Sequence, residues 1–358
     1  MPEKMKVGLV LSGGGAKGAY QVGALKALQE LGTTIDVVAG ASIGALNGAV
    51  LVSAPSISEG IKRLEELWLT LAETSPLGLN HASYINLLAS AGLHLNGVGY
   101  IDQLRKAAQN ISKRYGFDLP APFREIDSGL ISSKPLHDLL EQYLDPIGLA
   151  KGLPFFVSVF KSQGGLNDLL RTITAEIGIR DTPESEFLHI QSLPENEQKE
   201  VLLASAAIPI LFAPRNVNGE QYTDGGQGGW QKSQGNTPIT PLLKAGCNLV
   251  LVTHLSDGSL WSRHDFPETT ILEIRPQSSI SRGTGVLGGM KDLLGFDQEK
   301  IPSWIEQGYQ DTLHCVGRVM NASQARNALS LSERHLEHSE QQNAAADSAL
   351  ADAMARLR

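Results

Sequence analysis

The chain has 358 residues, 42% of them apolar and 19% charged, and a net charge of −8. That is globular composition with length for a sizeable core. The acidic balance argues against a polyanion such as DNA as the main partner, because phosphate binding needs a basic face. Cys247 and Cys315 are the only cysteines, in no metal-type spacing, and read as reduced thiols.

Taken in chain order, "KVGLVLS" (6–12) is an apolar run that predicts a buried parallel strand. The run is too short for a signal-peptide core, so the expected location is cytoplasmic, with signal-independent secretion left open. "AYQVGALKALQELG" (19–32) is helical, with Val22, Leu25, Leu28 and Leu31 at near-helical spacing and Gly32 as its stop. "IDVVAG" (35–40) is a second buried strand, and "IGALNGAVLVSA" (43–54) a helix of small residues. Residues 57–73 form an amphipathic helix. From Ser75 to about Asp127 the pattern loosens, and "SYINLLASAGLHLNGVGY" reads as a cap over a site or as plain helical cover. Strands follow at 153–162 and 186–192. A helix broken at Pro209 leads to a strand within 200–217, and 218–226 is a turn, a short strand and a glycine turn. Further strands are expected at 247–256 and 269–277, and mostly polar helix follows Ile301. Strand, helix, strand, helix within about fifty residues means an α/β fold with a parallel sheet.

Two loops carry the chemistry. After the first strand, Gly13, Gly15 and Gly18 spell G-x-G-x-x-G. A dinucleotide site would need an acidic residue at the carboxyl end of the next strand, and Asp36 stands at its start. A P-loop would need Lys and then Ser or Thr after Gly18, where the chain has Ala19 and Tyr20. After the second strand, Gly40-Ala41-Ser42-Ile43-Gly44 is G-x-S-x-G between predicted strand and predicted helix, the context of a nucleophile elbow. The helix N-terminus would favour an alkoxide-like oxygen on Ser42. A glycine run ending in a helix is a nest of N–H donors, suited to the oxyanion of ester hydrolysis. For the base, His254 at a strand end is one choice. The other is Asp224 in "YTDGG", where desolvation would strengthen the carboxylate.

"GLVLSGGGAKGAYQVGAL", "GASIGA" and "DGG", in this order, together with "ASAAIPILFAP" and "NTPI" (236–239), resemble the patatin-like phospholipases, lipid acyl hydrolases with a Ser-Asp dyad. The resemblance spans about residues 6 to 255. It implies a three-layer α/β fold, with a mainly parallel sheet and helices on both faces. It makes Ser42 the nucleophile, Asp224 its base, and Gly13, Gly14 and Gly15 the oxyanion hole. Gly18, Gly40, Gly44, Gly225 and Gly226 complete the motifs. Lys17 stands where the family has a basic residue, to orient the loop or meet a lipid phosphate. No metal or organic cofactor is implied. The implied partner is a phospholipid or other acyl-ester lipid at a membrane surface, met by peripheral contact, with no nucleic acid. A homo-oligomer and a small-molecule or protein activator stay open.

Asp224 lies twelve positions before Asn236, a longer gap than the family usually has. The extra residues, in "QGGWQKSQG", predict a flexible loop bearing Trp230, at a membrane or folded back. The expected organisation is a catalytic domain over 6–255 and an extension over 256–358, a last strand and then helix, for regulation or oligomerisation. Within it "SRGTGVLGGMKDLLGF" (281–296) reads as a moving element or an ordinary loop. Rival functions are a thioesterase or acyltransferase with the same dyad, a regulated lipase effector or toxin, and a non-catalytic lipid-binding protein.

Overall fold

The computed structural model describes residues 5–74, 133–176, 178–209, 212–256, 260–281 and 295–356. The cap expected around residues 83–100, and most of the 281–296 element, lie outside them. Met1–Cys315 make one compact unit and Val316–Arg358 a second.

The first unit is built on one sheet, eight-stranded among the described residues. Its strands are β1 (Val7–Leu11), β2 (Val37–Ala41), β3 (Phe155–Lys161), β4 (Glu186–His189), β5 (Arg215–Val217), β6 (Glu220–Asp224), β7 (Leu249–Thr253) and β8 (Thr270–Ile274). The order is β5-β6-β3-β2-β1-β7-β8, with β4 also on β3. Pairs β2–β1, β1–β7, β2–β3 and β7–β8 are parallel, and β3–β4, β3–β6 and β5–β6 are antiparallel. β1, β2 and β7 are buried at every position, as their unbroken apolar runs predict for strands covered on both faces.

The helices are α1 (Ala19–Glu30), α2 (Ile43–Ser53), α3 (Ile57–Thr74), α4 (Lys134–Tyr143), α5 (Pro146–Lys151), α6 (Gly165–Glu176), α7 (Glu195–Ser205), α8 (Thr240–Lys244) and α9 (Lys300–Thr312). α1 and α2 follow strands in parallel crossovers and share one face. α9 presses directly on α1: a Cβ on Gly23 would stand 1.7 Å from the Ile305 carbonyl oxygen. On the other face, Val10, Val37, Val250 and Val252 meet Ile239 and Leu242 around α8, and Trp261 beyond β7. This is an α/β sandwich of helices about a mostly parallel sheet.

The expected domain boundary at residue 255 falls between β7 and β8, which pair over five residues. β8 and α9 therefore belong to the first unit, which runs to Cys315. Periodicity could not show this, because the pairing partner of a strand is a tertiary choice. The expected helix ending at Pro209 stops earlier, at Ser205. The second unit is α10 (Arg318–Arg356), a 39-residue helix with Leu329, Leu336 and Leu350 exposed at heptad spacing. No helix among the described residues is long and apolar enough to cross a membrane.

Candidate active site

The register of β3 brings the two predicted site residues together. Ala41 at the end of β2 pairs with Ser158, and Asp224 at the end of β6 pairs with Val159. Ser42 and Asp224 thus flank the same point of β3, two strand spacings or about 10 Å apart at the backbone. Their side chains extend toward each other across that gap, and the Ser42 hydroxyl is near enough to favour the charged form of the Asp224 carboxyl.

Ser42 has φ 52° and ψ −125°, a region that non-glycine residues avoid. The surroundings hold it there. Its N–H donates to Ser205 Oγ at 2.9 Å, and Ser205 Oγ donates to the Ser158 carbonyl at 2.7 Å. Its carbonyl accepts the N–H groups of Ala45 and Leu46 in the first turn of α2. The flanking glycines are required by contact. A Cβ on Gly40 would lie 2.5 Å from the Gly44 carbonyl oxygen, and one on Gly44 would lie 2.0 Å from that of Leu11. Only a glycine pair lets α2 leave β2 this sharply.

Ser205 is a positioning residue that sequence reasoning missed, although it lies within "ASAAIPILFAP". Ser205→Ala leaves the buried Ser42 N–H without an acceptor, a penalty of about 1–3 kcal/mol. The expected result is a lower Tm together with a fall in kcat of roughly tenfold or more, at little changed KM. A lower Tm with wild-type kcat would mean that Ser205 braces the fold without orienting Ser42.

The glycine loop stands over Ser42. A Cβ on Gly13 would be 2.9 Å from Ser42 Cβ and 2.5 Å from Asn236 Oδ1. The Gly13 N–H is already taken, donating to Asn236 Oδ1 at 3.1 Å. Gly14 packs on Leu255, and Gly15 has φ 61° and opens a 3-10 turn, Gly15–Gly18, that runs into α1. The N–H groups of Gly14 and Gly15 have no acceptor among the described residues. Lys17 is half-buried within the turn. Behind the loop runs a buried polar chain. Trp68 Nε1 donates to Asn47 Oδ1, and Asn47 Nδ2 donates to the Gly18 carbonyl and to Gln21 Oε1. Gln21 Nε2 in turn donates to the Ser12 carbonyl. "NTPI" is the clamp on the other side: Asn236 holds Gly13, and Thr237 Oγ1 lies 3.3 Å from Ser12 Oγ. Neither partnership was legible in the motif.

Asp224 is 7% exposed, as is Ser42. Its carboxylate accepts the Gly226 N–H at 2.8 Å. Burial dominates and pushes the carboxyl up to about 6, against the opposing hydrogen bonds from Ser42 and Gly226. The D-G-G turn is tied to the sheet through the Gly225 carbonyl, which accepts from Ser185 Oγ at 2.6 Å. A Cβ on Gly225 would lie 2.2 Å from the Ser158 carbonyl oxygen, and one on Gly226 3.0 Å from Asp224 Oδ1.

The other candidate base, His254, is committed elsewhere. Its Nε2 is 3.1 Å from Glu273 Oε2 and its ring is 5.4 Å from that of Trp261. In the segment after Asp224, expected as a loop bearing Trp230 at a membrane or folded back, the chain is folded back on the protein. It forms two 3-10 turns, Gly225–Gln227 and Trp230–Lys232. The N–H groups of Gly229, Trp230 and Gln231 donate to Pro183, Thr182 and Asp181 in turn. Trp230 is half-buried on this scaffold. The reason is again tertiary, since the acceptors come from a loop some fifty residues earlier. Among the described residues one cluster has metal-type donors, His137, Asp138 and Glu141 on α4, and Lys199 pairs with Glu141.

A serine in a strained strand-to-helix turn, with a buried carboxylate and a glycine loop beside it, is the arrangement found in α/β serine hydrolases. The chain belongs to the patatin-like phospholipases, whose family model matches residues 9–243. It is 52% identical over 60 residues to neuropathy target esterase sws of Drosophila persimilis, covering 17% of this chain and 4% of that protein. It is 64% identical over 44 residues to lysophospholipase nte1 of Aspergillus terreus, covering 12% of this chain and 3% of that protein. The chain thus spans a small fraction of the curated relatives it matches. Among solved structures, VipD from Legionella pneumophila aligns over 88% of this chain and 67% of its own, at 17% identity and TM-score 0.38. The type III effector protein ExoU aligns over 88% of this chain and 53% of its own, at 18% identity and TM-score 0.37.

Proposed function

We propose that this protein hydrolyses acyl esters of membrane lipids with Ser42 as nucleophile and Asp224 as its general base. The observation that carries the reading is that a strained elbow serine and a buried carboxylate converge on one point of β3, the carboxylate held near neutrality by burial. Asp224 takes the Ser42 proton as Oγ bonds to the ester carbonyl carbon. The negative charge moves to the carbonyl oxygen, where the N–H groups of Gly14 and Gly15 meet it; the Gly13 N–H is engaged by Asn236 and shapes the loop. The C–O bond to the leaving alcohol or lysolipid breaks, and that oxygen takes the proton from Asp224. A water then gives a proton to Asp224 and its oxygen to the acyl carbon, and Ser42 leaves with the proton. The family assignment and the printed names of the esterase and lysophospholipase relatives support a lipid ester over other acyl donors. In this reading the protein works in the cytoplasm and reaches its substrate at a membrane surface.

The test is active-site labelling. A fluorophosphonate is expected to modify one residue, Ser42, by mass spectrometry of the digested protein. Modification of another serine, or none on folded protein in the presence of phospholipid vesicles, would overturn the assignment.

A further inference from the structure

Among the described residues nothing covers α10. Every residue from Leu331 to Leu350 is exposed, and so are Leu329 and Met354. The helix does little to hold itself. Glu333 and Glu337 are like charges four residues apart, and Glu337 and Glu340 three apart. The side-chain bonds described within it are Arg334 to Ser330 and Gln342 with His338. A 39-residue helix so polar and so little supported needs a surface to pack on.

The residue order defines that surface. Leu329, Leu336, Asn343 and Leu350 recur every seven residues. With these at the a positions of a heptad, the d positions are Ser332, Ser339, Ala346 and Ala353, all small. With them at d, the a positions would hold Glu333, Glu340 and Asp347, which an apolar seam rejects. The first assignment stands, and a strict seven-residue period marks a left-handed coiled coil. The small d residues let two helices come close. Asn343 is the single polar a residue in the line, a device that fixes register because its amide must meet another polar group.

We infer that α10 pairs with α10 of a second copy of this chain in a parallel two-stranded coiled coil, with Leu329, Leu336, Asn343 and Leu350 in the seam. The inference does not depend on the role of Ser42. Charge sets the partner and its direction. The e positions, Glu333, Glu340 and Asp347, form an acidic row. In an antiparallel pair of copies e faces e, so acid meets acid. In a parallel pair e faces g, where the row is His335, Gln342 and Ala349. His335 then lies beside Glu340 of the second copy, and Gln342 beside Asp347 of the second copy. Asn343 meets its own counterpart, amide to amide. The same acidic row opposes an anionic membrane surface as the cover.

Sedimentation of the intact protein over a concentration series tests the pair. The expected species has twice the 38.4 kDa mass of one chain. Leu336→Lys puts a charge into the seam, yet within its own helix it gains Glu333 and Glu340 as partners, so the helix survives. It should weaken the pair by about a hundredfold or more. Gln341→Glu, at an outward f position, should leave the affinity unchanged. Asn343→Leu should tighten it by about tenfold or more. His335→Glu should weaken a parallel pair by about fivefold, and adding Glu340→Lys should restore it. Circular dichroism and melting of each variant check that both units stay folded. A wild type that is monomeric throughout would overturn the inference, as would a monomer that binds phosphatidylglycerol vesicles through α10 instead. A dimer that Leu336→Lys leaves intact would overturn it too. A dimer that neither His335→Glu nor Asn343→Leu alters would overturn the parallel seam.

Discussion

Asp224→Asn is expected to lower kcat for acyl-ester hydrolysis by about a thousandfold or more and to leave the fold at least as stable as the wild type. An asparagine Oδ1 can still accept the Gly226 N–H that the carboxylate now accepts at 2.8 Å. What it cannot do is take the Ser42 proton. The stability half follows from burial. The carboxyl is pushed up to about 6 because the fold disfavours its charge. Folding therefore favours the protonated form, and this stabilisation, full below the unfolded value near 4, is lost as pH rises through about 6. At pH 8 the penalty for the buried charge is on the order of 3 kcal/mol. Asn carries no such charge, so the variant should melt higher than the wild type at pH 8, and the gap should close toward pH 4. Activity runs the other way. The wild-type kcat/KM should fall tenfold for each pH step below about 6 and level off above 7. A variant that melts well below the wild type at pH 8, or a flat rate between pH 5 and 7, would remove Asp224 as the base.

Ser42→Ala is expected to reduce hydrolysis by about ten-thousandfold or more, because no other group lies at the end of the elbow to attack. The backbone strain at φ 52° remains, since alanine tolerates that region no better than serine. The substitution also removes the hydroxyl that favours the charged form of the Asp224 carboxyl. At pH 8 the loss should destabilise the fold by about 1–3 kcal/mol. Below pH 5, where Asp224 is protonated, the loss should be smaller, and the carboxyl should titrate higher than in the wild type. Melting curves of both proteins across this range separate the effect from general damage. Wild-type turnover in the alanine variant would place the nucleophile elsewhere.

In the proposed mechanism the two residues act on one proton transfer, so the effects of the two substitutions on turnover should not add. A double variant should be no slower than Ser42→Ala alone. The same logic explains why the supporting residues matter. Ser205 holds the Ser42 N–H, and Asn236 holds that of Gly13. Each spends a buried polar group on keeping two loops from different strands in register.

Much of this was legible in the residue order. Apolar runs with no polar face made β1, β2 and β7 buried strands, and the structure has them at Val7–Leu11, Val37–Ala41 and Leu249–Thr253. G-x-S-x-G identified the elbow because its glycines answer a local steric demand, met within a few residues of Ser42. Local demands leave local signatures. Asp224 was one of two candidate bases, and its neighbours alone did not separate it from His254. The fold places Asp224 near Ser42 by pairing β6 with β3, and sets His254 against Glu273. Ser205, the clamp by Asn236, the folded turns around Trp230 and the place of β8 in the sheet had no local signature. Each depends on which distant segments meet, and that is decided by strand order and helix packing. The sequence by itself determined the chemistry available, a serine on a tight turn, a run of bare N–H groups and a carboxylate beside glycines. Only the tertiary structure decided which carboxylate stands near the serine, because that is a matter of register across β3, and register is set by the whole sheet.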